Sequence, residues 1–209
     1  MLRTVDWGRL DYGVALERMR TMRAERRRAE IGDTLILVEH PAVVTIGVEG
    51  DDGDAGESGF PVYSVERGGK STFHGPGQLV GYPIVDLDAR RRDVRAFVHE
   101  LESLLIDVLA GYTIHGAHVS GRRGVWVDGQ RKIASIGIAV GEWVTFHGFA
   151  LNVDVDLSAF ERIQPCGFDG RVMTSIAKEL DRPVSLDEVR PRVIAEWERH
   201  FAASTVAAA

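Results

Sequence analysis

Hydrophobic and polar positions along the chain follow patterns that predict both helices and strands. The clearest helical pattern runs over residues 93–110, where six apolar residues recur every three or four positions. Asp93 is a typical N-cap residue, and Gly111 is a typical helix stop. A second helix is predicted over residues 14–29, and a third runs from a capping box at Ser185 to about His200.

Short apolar or alternating runs predict strands between these helices. We expect strands over residues 34–39, 42–48, 61–66, 79–87, 125–127, 132–140 and 143–153. Asp128 and Gly129 separate two of them and supply the positive φ angles of a tight hairpin turn. Because strands often follow one another directly, we predict a single α/β domain of the α+β type over residues 1–209. Helices would flank a mixed β-sheet in it.

Two segments are not expected to pack against the rest of the chain. Residues 50–59 are glycine-rich and acidic, which is typical of a mobile surface loop, and the tail at 202–209 is expected to fray. Apolar runs are too short to span a bilayer, and no secretory pattern is visible. We therefore expect a cytoplasmic protein that binds no membrane.

The charge and cysteine content of the chain argue against a nucleic-acid-binding protein and against a disulfide-stabilised one. The formal net charge is −6, which gives no general attraction for nucleic acid, so none is expected as a partner. Cys166 is the only cysteine among 209 residues, so no intramolecular disulfide can form. His115 and His118 could bind a metal, but the sequence suggests no third ligand. We predict neither a metal site nor a cofactor.

A glycine-rich segment at residues 67–78 is the first candidate for a binding site. It holds four glycines and a proline, which let backbone groups approach a ligand closely, although a long turn between strands would also explain them. Its neighbouring polar and aromatic side chains favour the binding site. A P-loop is excluded, because that motif needs a glycine where Ser64 stands and a helix where Gly75, Pro76 and Gly77 follow.

Cys166 and Lys132 are the candidates for covalent chemistry. A lone cysteine is usually a small buried hydrophobic residue, but Pro165 and Gly167 indicate a turn that would display the thiol. A thiol nucleophile also needs a lowered pKa or a neighbouring base, and spacing alone does not choose that base. Taken alone, Lys132 is most simply a hairpin lysine in solvent.

Three segments together resemble the lipoyl(octanoyl) transferases, which share their fold with lipoate-protein ligases and biotin ligases. They are Arg-Gly-Gly…Thr-Phe-His-Gly-Pro-Gly-Gln at residues 67–78, Gly-Gln-Arg-Lys-Ile-Ala-Ser-Ile-Gly at 129–137, and Pro-Cys-Gly-Phe at 165–168 with Met-Thr-Ser at 173–175. His-Pro…Thr-Ile-Gly at 40–47 and Phe-His-Gly-Phe-Ala-Leu-Asn at 146–152 also match. Order and spacing agree from about residue 30 to 180.

The resemblance implies transfer of an octanoyl group from octanoyl-acyl carrier protein to a specific lysine of a lipoyl domain, the first step of lipoate biosynthesis. The acceptors would be lipoyl domains of 2-oxoacid dehydrogenase complexes and the glycine cleavage H protein. Cys166 would hold the acyl thioester, and Lys132 would lie beside it. By position, the substrate-binding residues would be Arg67, Gly68, Gly69, Lys70, Ser71, Thr72, Phe73, His74, Ser135, Ile136, Gly137, Gly148, Phe149 and Ala150. Ser71 stands where a β-branched apolar residue is expected.

Three alternatives stay open on the sequence. An ATP-dependent lipoate-protein ligase of the same fold would use Lys132 on an acyl-adenylate and leave Cys166 idle. A non-catalytic lipoyl-domain binding module would bury Cys166 in its core. A cysteine hydrolase would use His74 or His147 as its base and release free fatty acid.

An acidic carrier protein would need a local cationic surface on this acidic chain. Two arginine clusters qualify: Arg90, Arg91, Arg92 and Arg95, and Arg122, Arg123 and Arg131. The second is favoured because it flanks the hairpin that carries Lys132.

Overall fold

The computed structural model describes residues 2–51, 53, 58–163 and 169–202, and in these ranges strands often follow one another without a helix between them. The strands in these ranges are β1 (Arg3–Arg9), β2 (Thr34–Glu39), β3 (Val43–Ile46), β4 (Val62–Ser64), β5 (Ser71–His74), β6 (Gln78–Ile84), β7 (Gly116–Val119), β8 (Arg122–Val127), β9 (Arg131–Gly141) and β10 (Val144–Asn152). The helices are α1 (Tyr12–Arg27), α2 (Val94–Ala110), α3 (Ile176–Leu180) and α4 (Leu186–Ala202).

Two sheets organise the fold. The larger has seven strands in the order β1-β2-β6-β10-β9-β8-β7, and the smaller has three in the order β4-β3-β5. In the larger sheet β1 and β2 run parallel, whereas the other neighbours are antiparallel. The predicted α+β class with a mixed sheet flanked by helices is confirmed.

Strand β2 explains why both faces of the large sheet are covered. Its Leu35 and Leu37 point into a core shared with α2 and α4, while Ile36 and Val38 point into a second core shared with α1. Successive side chains of a strand face opposite sides, so a continuous apolar run needs a cover on each face. The sequence prediction of a buried strand at residues 34–39 is confirmed.

Capping and turn residues in the sequence predicted the helix ends and the hairpin to within a few residues. The Asp93 carboxylate accepts a 2.9 Å hydrogen bond from the amide of Ala96, as expected of an N-cap. Asp128 and Gly129 have φ angles of 51° and 67°, so the tight turn between β8 and β9 is also confirmed.

The glycine-rich segment at residues 67–78 was expected to be a loop between two strands, but its middle forms a strand. Ser71–His74 forms β5, which pairs antiparallel with β3. Phe73 anchors it, since its ring lies 5.0 Å from that of Phe60 and 5.5 Å from that of Phe160. Ser71 is fully buried opposite Ile46, so the small residue fits where a larger one was expected.

Some expectations fall outside the described residues. These include the tail at 203–209 and part of the predicted loop at 50–59. The single-domain assignment stays a prediction. Among the described residues, no helix has both the length and the apolar character needed to cross a membrane.

Candidate active site

Lys132 lies near the start of β9 and is buried, with 2% of its surface exposed. Its Nζ atom lies 5.6 Å from the centre of the Trp126 ring, on the neighbouring strand β8. The simple interpretation of a hairpin lysine in solvent is therefore wrong. Lysines are almost never fully buried without a partner, because removing the ammonium group from water is costly. Its burial therefore makes Lys132 a candidate for the functional role that the sequence segments indicated.

Gly124 on β8 provides the space for the Lys132 side chain. A Cβ atom at this position would lie 3.0 Å from Lys132 Cε and 2.2 Å from the carbonyl oxygen of Ala134. Gly124 also has a φ of +99°, in the region that favours glycine. Any larger residue would press on the buried lysine and on the strand that carries it.

The chain segment that follows Cys166 is attached to the strand of Lys132. Met173 forms a parallel β-bridge with Lys132, and the amide of Thr174 donates a 2.9 Å hydrogen bond to the Lys132 carbonyl oxygen. Cys166 itself lies outside the described residues, which resume at Asp169. Met173, where this attachment begins, lies seven positions after Cys166 along the chain.

A narrow pocket opens between the glycine-rich segment and the large sheet. Its lining residues are Tyr12, Arg67, Gly68, Gly69, Thr72, His74, Val80, Tyr82, Ser135, Ile136, Gly137, His147, Gly148, Phe149 and Ala150. Eleven of the fourteen residues expected to bind substrate are in this set. The other three lie elsewhere: Lys70 is exposed, Ser71 is buried opposite β3, and Phe73 packs against Phe60.

Four residues of the pocket were not among the expected substrate-binding residues. Val80 and Tyr82 are two positions apart on β6 and so share a face, a signal that the sequence did contain. His147 had been considered only as a hydrolase base. Tyr12 comes from α1, and nothing in its local sequence indicates a pocket.

The glycine-rich segment lies directly on β9 at Gly137. The Gly68 amide donates a 2.9 Å hydrogen bond to the Ile138 carbonyl oxygen, and a Cβ at Gly137 would come within 2.8 Å of the Gly68 carbonyl oxygen. From the other side, the Arg67 guanidinium donates hydrogen bonds of 2.8 Å to the carbonyl and hydroxyl oxygens of Thr45. These contacts fix the segment at the mouth of the pocket.

A buried chain of hydrogen bonds connects the pocket with the strand of Lys132. His74 Nδ1 bonds Gln78 Oε1 at 2.7 Å, Gln78 Nε2 donates to Asn152 Oδ1 at 2.9 Å, and Asn152 Nδ2 donates to the Thr174 carbonyl oxygen at 2.9 Å. An amide oxygen can only accept, so this arrangement assigns the His74 proton to Nδ1. Thr174 in turn is bonded to Lys132. Buried networks with every member satisfied hold their side chains rigidly.

Both histidines of the pocket are neutral at pH 7. Burial, with a smaller contribution from His40, lowers the pKa of His74 to about 3. Burial also lowers the pKa of His147 to about 4, although Glu66 opposes the shift from 3.7 Å away. Thr72 Oγ1 and His147 Nε2 are buried without a hydrogen-bond partner among the described residues. Such atoms normally bond water or a ligand.

Comparison with known proteins shows the family to which the chain belongs. Residues 11–198 match the lipoyl protein ligase A/B catalytic domain. The octanoyltransferase of Geotalea uraniireducens is 44% identical over 93% of this chain and 90% of its own length. That of Mycobacterium tuberculosis is 48% identical over 90% of this chain and 82% of its own. The chain belongs to the octanoyltransferases. The family inferred from its three sequence segments is confirmed, and the chain is an acyltransferase.

Solved structures show the same fold at low sequence identity. Ta0514 from Thermoplasma acidophilum, solved with bound lipoic acid, has a TM-score of 0.73 and 15% identity over 96% of this chain and 86% of that one. Biotin protein ligase from Aquifex aeolicus has a TM-score of 0.54 and 9% identity over 96% and 69%. The expected relationship of the fold to lipoate and biotin ligases is confirmed.

Proposed function

We propose that the chain transfers an octanoyl group from octanoyl-acyl carrier protein to a lysine of a lipoyl domain, through a thioester on Cys166, in the cytoplasm. The observation that supports it most is the burial of Lys132 on the strand to which the segment after Cys166 is attached. A cysteine thiolate is the nucleophile in such chemistry, and a nearby lysine favours it. The octanoyltransferases quoted above, 44% and 48% identical to this chain, point to the same reaction.

In the first half-reaction, Cys166 Sγ attacks the carbonyl carbon of the octanoyl thioester. A new C–S bond forms, the bond to the carrier sulfur breaks, and the carrier leaves as a thiol after taking the proton that Cys166 lost. Lys132 would assist either as an ammonium ion that stabilises the thiolate or as a neutral amine that receives the thiol proton. One thioester replaces another, so this exchange is nearly thermoneutral.

In the second half-reaction, the ε-amino group of the acceptor lysine attacks the acyl group on Cys166. An amide bond forms, the C–S bond breaks, and the Cys166 sulfur takes back a proton. An amide is more stable than a thioester, so this step draws the sequence forward without ATP. Both half-reactions use one pocket in ping-pong order.

Stabilisation of the developing oxyanion needs hydrogen-bond donors that are not already engaged. The Gly68 amide is bonded to Ile138, and the Gly69 amide donates a 2.9 Å hydrogen bond to the Glu49 carboxylate. These two glycines of the conspicuous loop are therefore poor candidates. The candidates that we propose for this role are backbone amides around Cys166, which lie outside the described residues.

The pocket suits an uncharged acyl chain. Val80, Ile136, Phe149 and Ala150 give it apolar walls, and its histidines carry no charge at pH 7. Arg67 also lines the pocket, but its guanidinium is hydrogen-bonded to Thr45 and to the Gly68 carbonyl oxygen. Its free volume is about 30 Å³, room for roughly two waters. We expect the walls of the pocket to separate when the octanoyl chain of the substrate enters.

The neutral histidines also argue against a cysteine hydrolase. An efficient general base has a pKa near the working pH. His74 and His147, with pKa values of about 3 and 4, are too weakly basic to activate a thiol or a water at neutral pH.

A groove beside the pocket is the surface we propose for the carrier protein. Arg95, Arg122 and Arg123 line it, and it meets the pocket at Gly68, Ile136 and Gly137. Arg131 of the favoured cluster does not line the groove and pairs with Glu179 and Asp128, while Arg90 of the other cluster pairs with Asp33. Arg122 and Arg123 are the members of the favoured cluster that line the groove, where Arg123 also pairs with Glu49 at 2.9 Å.

Reconstitution without nucleotide tests the proposed function. Purified protein, octanoyl-acyl carrier protein and a lipoyl domain are mixed without ATP, and the lipoyl domain is weighed by mass spectrometry. We expect the domain to gain one octanoyl group. Transfer that requires ATP would instead indicate a ligase. Binding without transfer would indicate a non-catalytic module, and octanoate released without an acceptor would indicate a hydrolase.

A further inference from the structure

We propose that His99, Glu102 and His118 form a binding site for a divalent transition metal ion, with zinc as the best match. His99 and Glu102 lie one turn apart on α2, and His118 lies on the edge strand β7. The sequence offered His115 and His118 without a third ligand, and no metal site was predicted. The fold instead brings His118 together with two residues of a helix that packs on the same sheet. Two imidazoles and one carboxylate are a common protein ligand set for zinc.

The three ligand atoms already converge. His118 Nδ1 lies 2.9 Å from Glu102 Oε2, His99 Nδ1 lies 3.9 Å from the same oxygen, and all three lie within 4.8 Å of one another. In a tetrahedral zinc centre with bonds of 2.0–2.1 Å, ligand atoms are about 3.3 Å apart. The two distances to Glu102 Oε2 differ from this value by about 0.4 and 0.6 Å, and the two histidine nitrogens must approach each other by up to about 1.5 Å to hold an ion.

A simple ion pair does not explain this cluster. Glu102 and His118 alone would satisfy such a pair, yet the His99 ring stacks on the His118 ring with centroids 4.1 Å apart. A metal ion would bind both imidazoles and the carboxylate together. The second imidazole beside one carboxylate is the feature that favours a metal site.

Glu102 is held in position as a metal ligand would be. It is buried, with 8% of its surface exposed, and its Oε1 accepts a 2.8 Å hydrogen bond from the Gly124 amide. Such outer contacts orient the ligands of metal sites. His99 and Glu102 also line the groove proposed for the carrier.

The site is coupled to Lys132 through one glycine. Gly124 donates its amide to Glu102 and, by lacking a side chain, leaves room for the Lys132 side chain. A bound ion would therefore fasten α2 to the strands β7 and β8 next to the buried lysine. The metal site itself does not depend on the proposed acyl transfer.

Calorimetric titration with Zn²⁺, after removal of metals with a chelator, tests the proposal. We expect one site per chain, retained in Cys166→Ser, which removes the thiol as a competing ligand. His99→Gln and His118→Gln should each weaken binding at least about tenfold, while His115→Gln, an exposed neighbour outside the cluster, should not. Both tested histidines are at the surface, so the variants are expected to fold.

Cobalt provides a second readout. Co²⁺ bound at this site should give visible d–d bands without a thiolate charge-transfer band, and His118→Gln should abolish the d–d bands. The proposal is overturned if the wild-type protein binds no Zn²⁺. It is also overturned if binding survives both histidine variants and is lost instead in Cys166→Ser or in His200→Gln, which alters the second candidate cluster of Asp107, Glu196 and His200.

Discussion

The amide of Thr174 donates a 2.9 Å hydrogen bond to the carbonyl oxygen of Lys132. Together with the β-bridge between Lys132 and Met173, this bond fastens the segment that follows Cys166 to the strand of the buried lysine. Substitution of Lys132 is therefore expected to alter the reactivity of the Cys166 thiol.

Replacing Lys132 tests whether it supports the thiolate. In Lys132→Ala, the pH profile of iodoacetamide alkylation should move to higher pH by about one unit or more, because the stabilising cation is lost. Lys132→Arg keeps the charge and serves as the control. If the alanine variant reacts with the wild-type profile, Lys132 does not stabilise the thiolate.

Gly124 is expected to be needed for the geometry of Lys132. In Gly124→Ala the new Cβ would collide with the Ala134 carbonyl oxygen and press on Lys132 Cε, so the transferase rate should fall at least tenfold, with a loss of about 1–3 kcal/mol in the free energy of unfolding. Gly8 on β1 has a positive φ as well, +61°, but open space around it, and it lines neither the pocket nor the groove. Gly8→Ala should therefore cost only the backbone strain, about 1 kcal/mol, and keep the activity. Equal loss of activity in the two variants would contradict this account.

The neutral state of His74 predicts how stability depends on pH. Burial lowers its folded pKa to about 3, below the usual 6.5 of the unfolded chain, so the unfolded state binds more protons between these values. The contribution of His74 is fully present above about pH 6.5 and is lost as the pH falls, at up to about 1.4 kcal/mol per pH unit.

His74→Gln should remove this part of the slope. Denaturant unfolding at several pH values from 6.5 to 4.5 measures it, and the same comparison at pH 8 gives the separate, pH-independent cost of the altered hydrogen bond. A variant whose unfolding free energy falls with acid as steeply as that of the wild-type protein would show that His74 is not held neutral by burial.

Charge reversal tests the carrier surface. Arg122→Glu with Arg123→Glu should raise the KM for octanoyl-acyl carrier protein and flatten its dependence on salt, because fewer screened contacts remain. Activity with a small octanoyl thioester should hardly change. Arg28→Glu reverses an exposed charge in a pair with Glu30, at the end of α1, and is the control. Equal loss with both donors would point to damage to the fold or the pocket.

Much of the fold could be predicted because its strongest signals are local. The apolar run of β2, the Asp93 cap and the Asp128–Gly129 turn each act within a few residues. The edge strands β1 and β7 were missed, since their side chains are mostly half-buried or exposed and follow no strong pattern. Strand β5 was missed because its partner, β3, lies far away along the chain.

Sequence motifs predicted most of the residues that line the pocket, but they did not predict how the site is arranged in space. The motif placed most of the pocket residues, yet nothing in the local sequence around Lys132 indicates that it is buried. Its burial depends on Trp126 and Gly124 from the preceding strand and on Met173 from a distant segment. Tyr12 likewise reaches the pocket from a helix whose sequence near it is unremarkable for binding.

The acyl-enzyme on Cys166 is the central claim, and the intact mass of the protein tests it most directly. After incubation with octanoyl-acyl carrier protein and no acceptor, the mass should increase by one octanoyl group. Hydroxylamine should remove the group, and peptide mapping should locate it at Cys166. Cys166→Ser should show no hydroxylamine-sensitive adduct and no transfer to a lipoyl domain. An unmodified wild-type protein that still transfers the octanoyl group, or a Cys166→Ser variant that transfers it at the normal rate, would contradict the account.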